Sequence, residues 1–128
     1  MPTDALREFI QCLPLPALVA KHTKHSRVNH PTLLVNQQFS NELGYVHSDI
    51  PDKHSWWQKV YPDPLYQQVV QRQWELEEEL AEREGRQFIR LDVNLTLKNG
   101  REKRYRVLSS PCPGLPDYIQ VLFIELTP

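Results

Sequence analysis

Glycine is scarce in this chain: four among 128 residues, Gly44, Gly85, Gly100 and Gly114, none two positions from another. Phosphate cradles of the GxGxxG or P-loop kind cannot be built from them, so nucleotide-driven chemistry of those types is excluded. Cysteine is as sparse. Cys12 and Cys112 stand 100 positions apart with no other cysteine near either, which is neither a secreted disulfide framework nor a zinc site. The longest apolar run, around Leu13 to Ala20, carries Pro14 and Pro16 and falls short of the roughly 18 to 20 residues of a membrane helix, so no membrane insertion is expected. Near the start, Asp4, Arg7 and Glu8 stand where a basic head and apolar stretch would mark a signal peptide. The expected compartment is the cytoplasm. Charge of one sign is also lacking. With 15 Lys+Arg against 16 Asp+Glu, no long-range positive field draws the chain to nucleic acid, and none is expected as a partner.

What is present is an ordinary globular balance, 40% hydrophobic and 24% charged, enough for one compact core. No repeat or low-complexity segment occurs. Ala5, Leu6, Phe9, Ile10 and Leu13 recur at helical spacing, which predicts a short amphipathic helix over residues 4 to 13, stopped by Pro14 and Pro16. Ala17 to Lys21 reads as a first strand. The polar stretch that follows, with His22, His25 and His30, reads as a solvated loop. Thr32 to Val35 is a brief strand, and Asn36 is placed to cap a helix running through Phe39 and Leu43 to Gly44. Pro51, Pro62 and Pro64, interleaved with Trp56, Trp57, Val60 and Tyr61, predict short helical turns. From Leu65 to Glu84, apolar residues at three-to-four spacing predict the longest helix, with Asp63 as N-cap, Pro64 in the first turn and Gly85 as terminator.

Past Gly85 the period becomes two. Ile89, Leu91, Val93, Leu95 and Leu97 alternate with Arg90, Asp92, Asn94 and Thr96, one apolar row on one strand face. Asn99-Gly100 is read as a tight hairpin turn with positive φ angles at both residues, and Arg101 to Ser110 as the returning strand. Pro111, Pro113 and Pro116 are read as a stiff loop before Tyr118 to Leu126. Both alternating sets of that last strand are apolar, so it should be central and covered on both faces. The fold class is therefore α+β: a five-stranded antiparallel sheet with helices on one face and an N-terminal flanking helix. Residues 1–13 form the flanking helix and 14–128 the main domain. The second face of the last strand needs a cover, either that helix or its copy from a second molecule.

Several motifs stand in a telling order. Asn36-Gln-Gln-Phe39 is followed by Gly44-Tyr45, then by Trp56-Trp57-Gln-Lys-Val60-Tyr61-Pro62-Asp63-Pro64-Leu-Tyr66, Trp74 and Lys98-Asn99-Gly100. From about Ala17 to Thr127 the chain resembles a PAS domain, the cytoplasmic sensor module of bacterial histidine kinases and diguanylate cyclases. The resemblance implies a sensory module that binds a small ligand or a partner and relays a change to an output kinase or cyclase domain, or to a second copy. Two positions depart from the pattern. Gln67 stands where the subgroup has Arg after the tyrosine, and Glu125-Leu126-Thr127 where the family ends Asp-Ile-Thr, the link to a downstream signalling helix. Members that form a light-driven flavin adduct use a cysteine in the helix after the Asn-x-x-Phe region, where this chain has none. Haem-binding members often use a histidine on the long helix, and Leu65 to Glu84 holds none. Neither haem nor covalent flavin is expected, and no cofactor is assigned.

Other chemistry is weaker. The loop histidines have no carboxylate or cysteine among them and match no closed metal site, so no metal is assigned. The glutamates between positions 75 and 84 read as a wet helix face, with Glu79–Arg83 and Glu82–Arg86 at i,i+4. Ser109 and Ser110 lack the histidine of a nucleophilic signature, and no catalytic residue is assigned. Phe39, Trp56, Trp57, Tyr61 and Trp74 suit either core fill or a cavity wall. A ligand would lie between the long helix and the strands, and the candidate pocket residues are Asn36, Phe39, Trp57, Tyr61, Val69, Trp74, Leu91, Val93 and Val107. A homodimer is expected through Leu6, Phe9, Ile10 and Leu13 with Leu122 and Ile124. The alternatives are a ligand-free dimerisation module, or a small α+β proton-transfer enzyme needing a buried acid of raised pKa, for which Asp92 is the strand candidate.

Overall fold

The structure, a computed structural model, describes residues 2–21, 31–112 and 114–126. His22, His25 and His30 lie outside the described residues. The elements run α1 (Pro2–Gln11), β1 (Ala17–Lys21), β2 (Thr32–Val35), α2 (Gln37–Leu43), a 3-10 turn at His47–Asp49, α3 (Lys53–Val60), α4 (Pro64–Glu84), β3 (Ile89–Thr96), β4 (Glu102–Cys112) and β5 (Leu115–Glu125). The strands form one sheet in the order β2-β1-β5-β4-β3, every neighbour antiparallel. β5 is central, as its two apolar rows require.

Local chemistry sets the boundaries. Asp63 accepts the Leu65 amide at 2.9 Å and starts α4, with Pro64 in the first turn. Gln67, the departure noted above, donates from Nε2 to the Tyr61 carbonyl at 2.7 Å and ties the start of α4 to the end of α3. At the end of α2, Gly44 takes φ +87°, and a Cβ there would meet the Lys98 Cβ at 2.9 Å. Only glycine lets α2 approach the β3–β4 hairpin so closely.

The inner face of the sheet carries the main core, with Tyr105, Phe39, Phe123, Leu43, Ile50, Leu95 and Val93 fully buried. Removing each from water contributes roughly 1.5–3 kcal/mol. Phe39, Trp56 and Phe123 stack in tilted and edge contacts with centroids 5.5–5.6 Å apart. The outer face carries a second core. Ile10, Ala17, Val19, Leu34 and Cys112 are buried there, with Leu6, Leu13, Tyr118 and Leu122 packed round them. The flanking helix thus covers the sheet of its own chain.

That packing corrects the expected dimer face. Ile10 is 0% exposed within one chain, and Leu6, Leu13 and Leu122 join the same cluster, leaving Phe9 at 60% as the exposed large apolar residue of α1 among the described residues. Ile124, half-buried, lies outside that cluster. Three local expectations also change. Asn99 keeps a negative φ and Gly100 alone is positive. Gly100 N donates to Leu97 O at 2.9 Å and Leu97 N to Arg101 O at 2.8 Å, a three-residue loop ending in a left-handed glycine. The stiff proline loop is shorter than expected, because β4 runs through Pro111 to Cys112 and β5 starts at Leu115. A register shift between Pro111 and Cys112 accommodates the missing proline N–H. Arg86 pairs with Glu84 at 2.7 Å and Glu77 at 3.9 Å in place of Glu82, since Gly85 has already turned the chain off the helix.

Candidate functional site

The long helix settles over one margin of the sheet: α4 packs along the edge strand β3. The middle strands are therefore roofed only partly, and a cavity of about 830 Å³ opens between α3, α4 and the inner sheet face. Its size lies within the range of small-molecule sites. Strand register explains the floor. Ile89 pairs with Ser109, Ser109 with Val121 and Val121 with Leu18, and the next row is Pro111, Ile119, Ala20 and Thr32. Every one of these residues lines the cavity. Trp56 and Trp57 from α3, with Tyr61 after it, and Trp74 and Ala81 from α4 supply the walls. Helical spacing puts Trp74, Glu78, Ala81 and Glu82 on one side of α4.

The polar groups are few. Ser109 is 6% exposed and Thr32 7%, yet neither hydroxyl has a hydrogen-bond partner among the described residues. The same holds for the Tyr61 hydroxyl, on a residue 5% exposed whose phenol is pushed well above its ordinary range by burial. A buried hydroxyl left unpaired costs roughly 1–3 kcal/mol, and three of them stand beside this one cavity. Around the mouth stand Glu78, Glu82 and Gln87, all exposed, with Arg86 and Lys53. The Lys53 ammonium sits 5.4 Å from the Trp57 ring centre. Its pKa is lowered, first by burial and against the opposing pull of Glu78 and Glu75.

Of the nine candidate pocket residues, Trp57, Tyr61, Trp74 and Val107 line this cavity. Phe39, Leu91 and Val93 are buried elsewhere in the main core, and Val69 is 49% exposed. Val69 misses because the side of α4 that meets the interior runs through Val70, Trp74 and Ala81, one residue away. Asn36 is a structural tie. Its Oδ1 accepts the Phe39 and Ala17 amides at 2.9 and 3.0 Å, and its Nδ2 donates to the Ile10 and Leu15 carbonyls at 3.0 and 2.8 Å. The cap of α2 therefore also holds α1 and β1. Sequence reasoning missed Ser109, Thr32 and Ala81. Ser109 carried a usable signal: it falls in phase with Tyr105 and Val107, a hydroxyl in an otherwise apolar inward row.

The enzyme alternative needs a raised acid in the cavity; Glu42, whose carboxyl is raised first by burial and then by Glu125, is an exposed residue that does not line it. Asp92 is bonded to the Arg106 guanidinium at 2.9 and 3.1 Å, and that bond holds its carboxyl below the usual range. It borders a second groove, beside β3, and does not line the cavity. Cys12 is exposed, Cys112 is buried, and neither lines the cavity. Among the described residues no cluster of His, Cys, Asp and Glu could hold a metal, and no helix is long and apolar enough to cross a membrane.

Solved structures decide the fold. The LOV protein of Rhodobacter sphaeroides superposes at TM-score 0.67 and 14% identity, over 97% of this chain and 66% of its own. The PAS domain of a LuxR-family transcriptional regulator from Burkholderia thailandensis, in complex with ethanol, gives TM-score 0.66 and 11% identity over 94% and 96%. This chain has the PAS fold. The LOV domain of a blue-light-activated histidine kinase from Erythrobacter litoralis matches at TM-score 0.61 and 16% identity, over 91% and 99%. No protein-family profile matches the PAS-fold chain, and no curated protein matches it in sequence. The chain spans 66% of the Rhodobacter protein's length.

Proposed function

We propose that this PAS-fold chain is a sensory module that holds a small, mostly apolar molecule in the cavity beneath α3 and α4. The observation that carries the reading is the set of unpaired buried hydroxyls, Ser109, Thr32 and Tyr61, beside an aliphatic floor and indole walls. An apolar body would lie on Leu18, Val121 and Ile119, and a polar end would reach the hydroxyls. No cysteine lines the cavity, so a light-driven thiol adduct has no nucleophile there.

Signal relay follows from β1. Leu18 and Ala20 line the cavity, whereas Ala17 and Val19 lie under α1 on the other face. A shift of this strand moves both sides at once. Asn36 fastens the Ala17 amide and the Ile10 carbonyl to one side chain, so α1 follows the strand. The ligand must bind one arrangement more tightly than the other, because equal affinity shifts nothing. The receiver is an output kinase or cyclase domain, or a second copy of the chain. Native mass spectrometry of the purified protein and thermal shift against metabolite panels test the reading. The expected result is one bound molecule per chain, and stabilisation of about 2.7 kcal/mol when a ligand stands at 100 times its Kd. No bound mass and no stabilising compound would count against it.

A further inference from the structure

The side of α4 turned away from the cavity carries an apolar stripe that neither the core nor the cavity uses, its Leu76 and Leu80 bordering the groove beside β3. Leu65, Val69, Leu76 and Leu80 are 72%, 49%, 53% and 40% exposed. At 3.6 residues per turn they fall within about 60° of one another, on the side away from Val70, Trp74 and Ala81. The stripe is about 22 Å long. Its spacing of four, seven and four residues reads the same from either end, with the midpoint between Arg72 and Gln73.

We propose that α4 pairs with α4 of a second copy, antiparallel, about a two-fold axis at that midpoint. This arrangement sets Leu65 opposite the partner's Leu80 and Val69 opposite the partner's Leu76, so each aliphatic residue meets another and the interface is self-complementary. Charge chooses the direction. Six glutamates and one arginine lie between positions 75 and 84, whereas residues 64–74 carry Arg72 as their one charge. A parallel pair would stack the glutamates on their own copies. The antiparallel pair lays them along the partner's glutamine-rich half, near the partner's Arg72. The α1 face has no such surface to offer, because Ile10 and its neighbours are committed to their own sheet. A single helix stripe is small beside a standard interface of about 1,600 Å², so the dimer is weak.

Sedimentation velocity of the full chain from about 5 to about 500 µM tests association in the range a small interface allows. The sedimenting mass should double across that range. The Leu76→Glu/Leu80→Glu variant should stay monomeric at every concentration with an unchanged circular dichroism spectrum. Crosslinking fixes the register, in a Cys12→Ser background because Cys12 is exposed. Arg72→Cys alone should form a disulfide dimer on mild oxidation, and an equimolar mixture of Leu65→Cys and Leu80→Cys chains should crosslink. Leu65→Cys alone should not, its counterpart lying about 22 Å away. The pairing is overturned by a monomer at the highest concentration, by self-crosslinking through Leu76→Cys alone, or by a dimer that survives Leu76→Glu/Leu80→Glu and is lost in Phe9→Glu.

Discussion

The inner face of the sheet is filled at one end and hollow at the other. Towards the hairpin, Phe39 interlocks with Trp56 and Phe123, which wall off the hollow on that side, and Tyr45 donates to the Thr96 carbonyl at 2.8 Å. Towards the opposite end the same strands present Leu18, Ser109, Val121 and Thr32 to a space of about 830 Å³. The strands are shared, so the difference lies in what sits above them and in which inward positions carry hydroxyls. Dense packing fixes one arrangement. A hollow with unpaired polar groups leaves stability to be gained on binding, the reserve on which the proposed sensing draws.

Truncating an aromatic side chain at each end tests the contrast with the largest effect. Phe39→Ala should lower unfolding free energy by about 3–5 kcal/mol in urea titration. Trp57→Ala, which removes a half-buried ring beside existing space, should cost less, and equal losses at both ends would erase the distinction. Ser109→Val then sharpens it. Replacing an unpaired buried hydroxyl by an apolar group, with the cavity there to take valine's extra methyl, should stabilise the free protein by about 1 kcal/mol, read as a raised Tm, and weaken any ligand that uses the hydroxyl. Destabilisation would mean that Ser109 has a partner after all. The smallest effect belongs to the outer surface. Because Arg106 depresses the Asp92 pKa, the pair stabilises the fold above the ordinary carboxylate pKa and loses that contribution as pH falls through the depressed value. Asp92→Asn should therefore be slightly less stable than the parent at neutral pH and indistinguishable from it in strong acid.

The elements and the dense end were legible in the sequence because their information is local and periodic. Alternation from Ile89 to Leu97, the cap at Asp63 and the stop at Gly85 each rest on one element, and the motif order from Asn36 to Lys98 pointed to the PAS fold. The hollow end was legible only in part. Its walls were anticipated at Trp57, Tyr61 and Trp74, but its floor depends on the registers of four strand pairs, which put Ser109 beside Val121 and Ala20 beside Thr32. No single segment encodes that. Val69 was misplaced by one step on the helix wheel, and Asn36 proved to bind three elements, a role that needs the tertiary path of the chain before α2. The α1 face could have met either its own sheet or another molecule, and only the coordinates choose.

Binding of 1-anilinonaphthalene-8-sulfonate, an apolar ring system with one polar end, tests the hollow most directly when followed by isothermal titration calorimetry. Saturation is expected at one molecule per chain with a negative heat-capacity change. Ala81→Phe, which fills the cavity from α4, should abolish binding without lowering Tm, and Leu76→Glu on the outer side should bind as the parent does. No saturable binding, or full binding retained in Ala81→Phe, would contradict the cavity as the site.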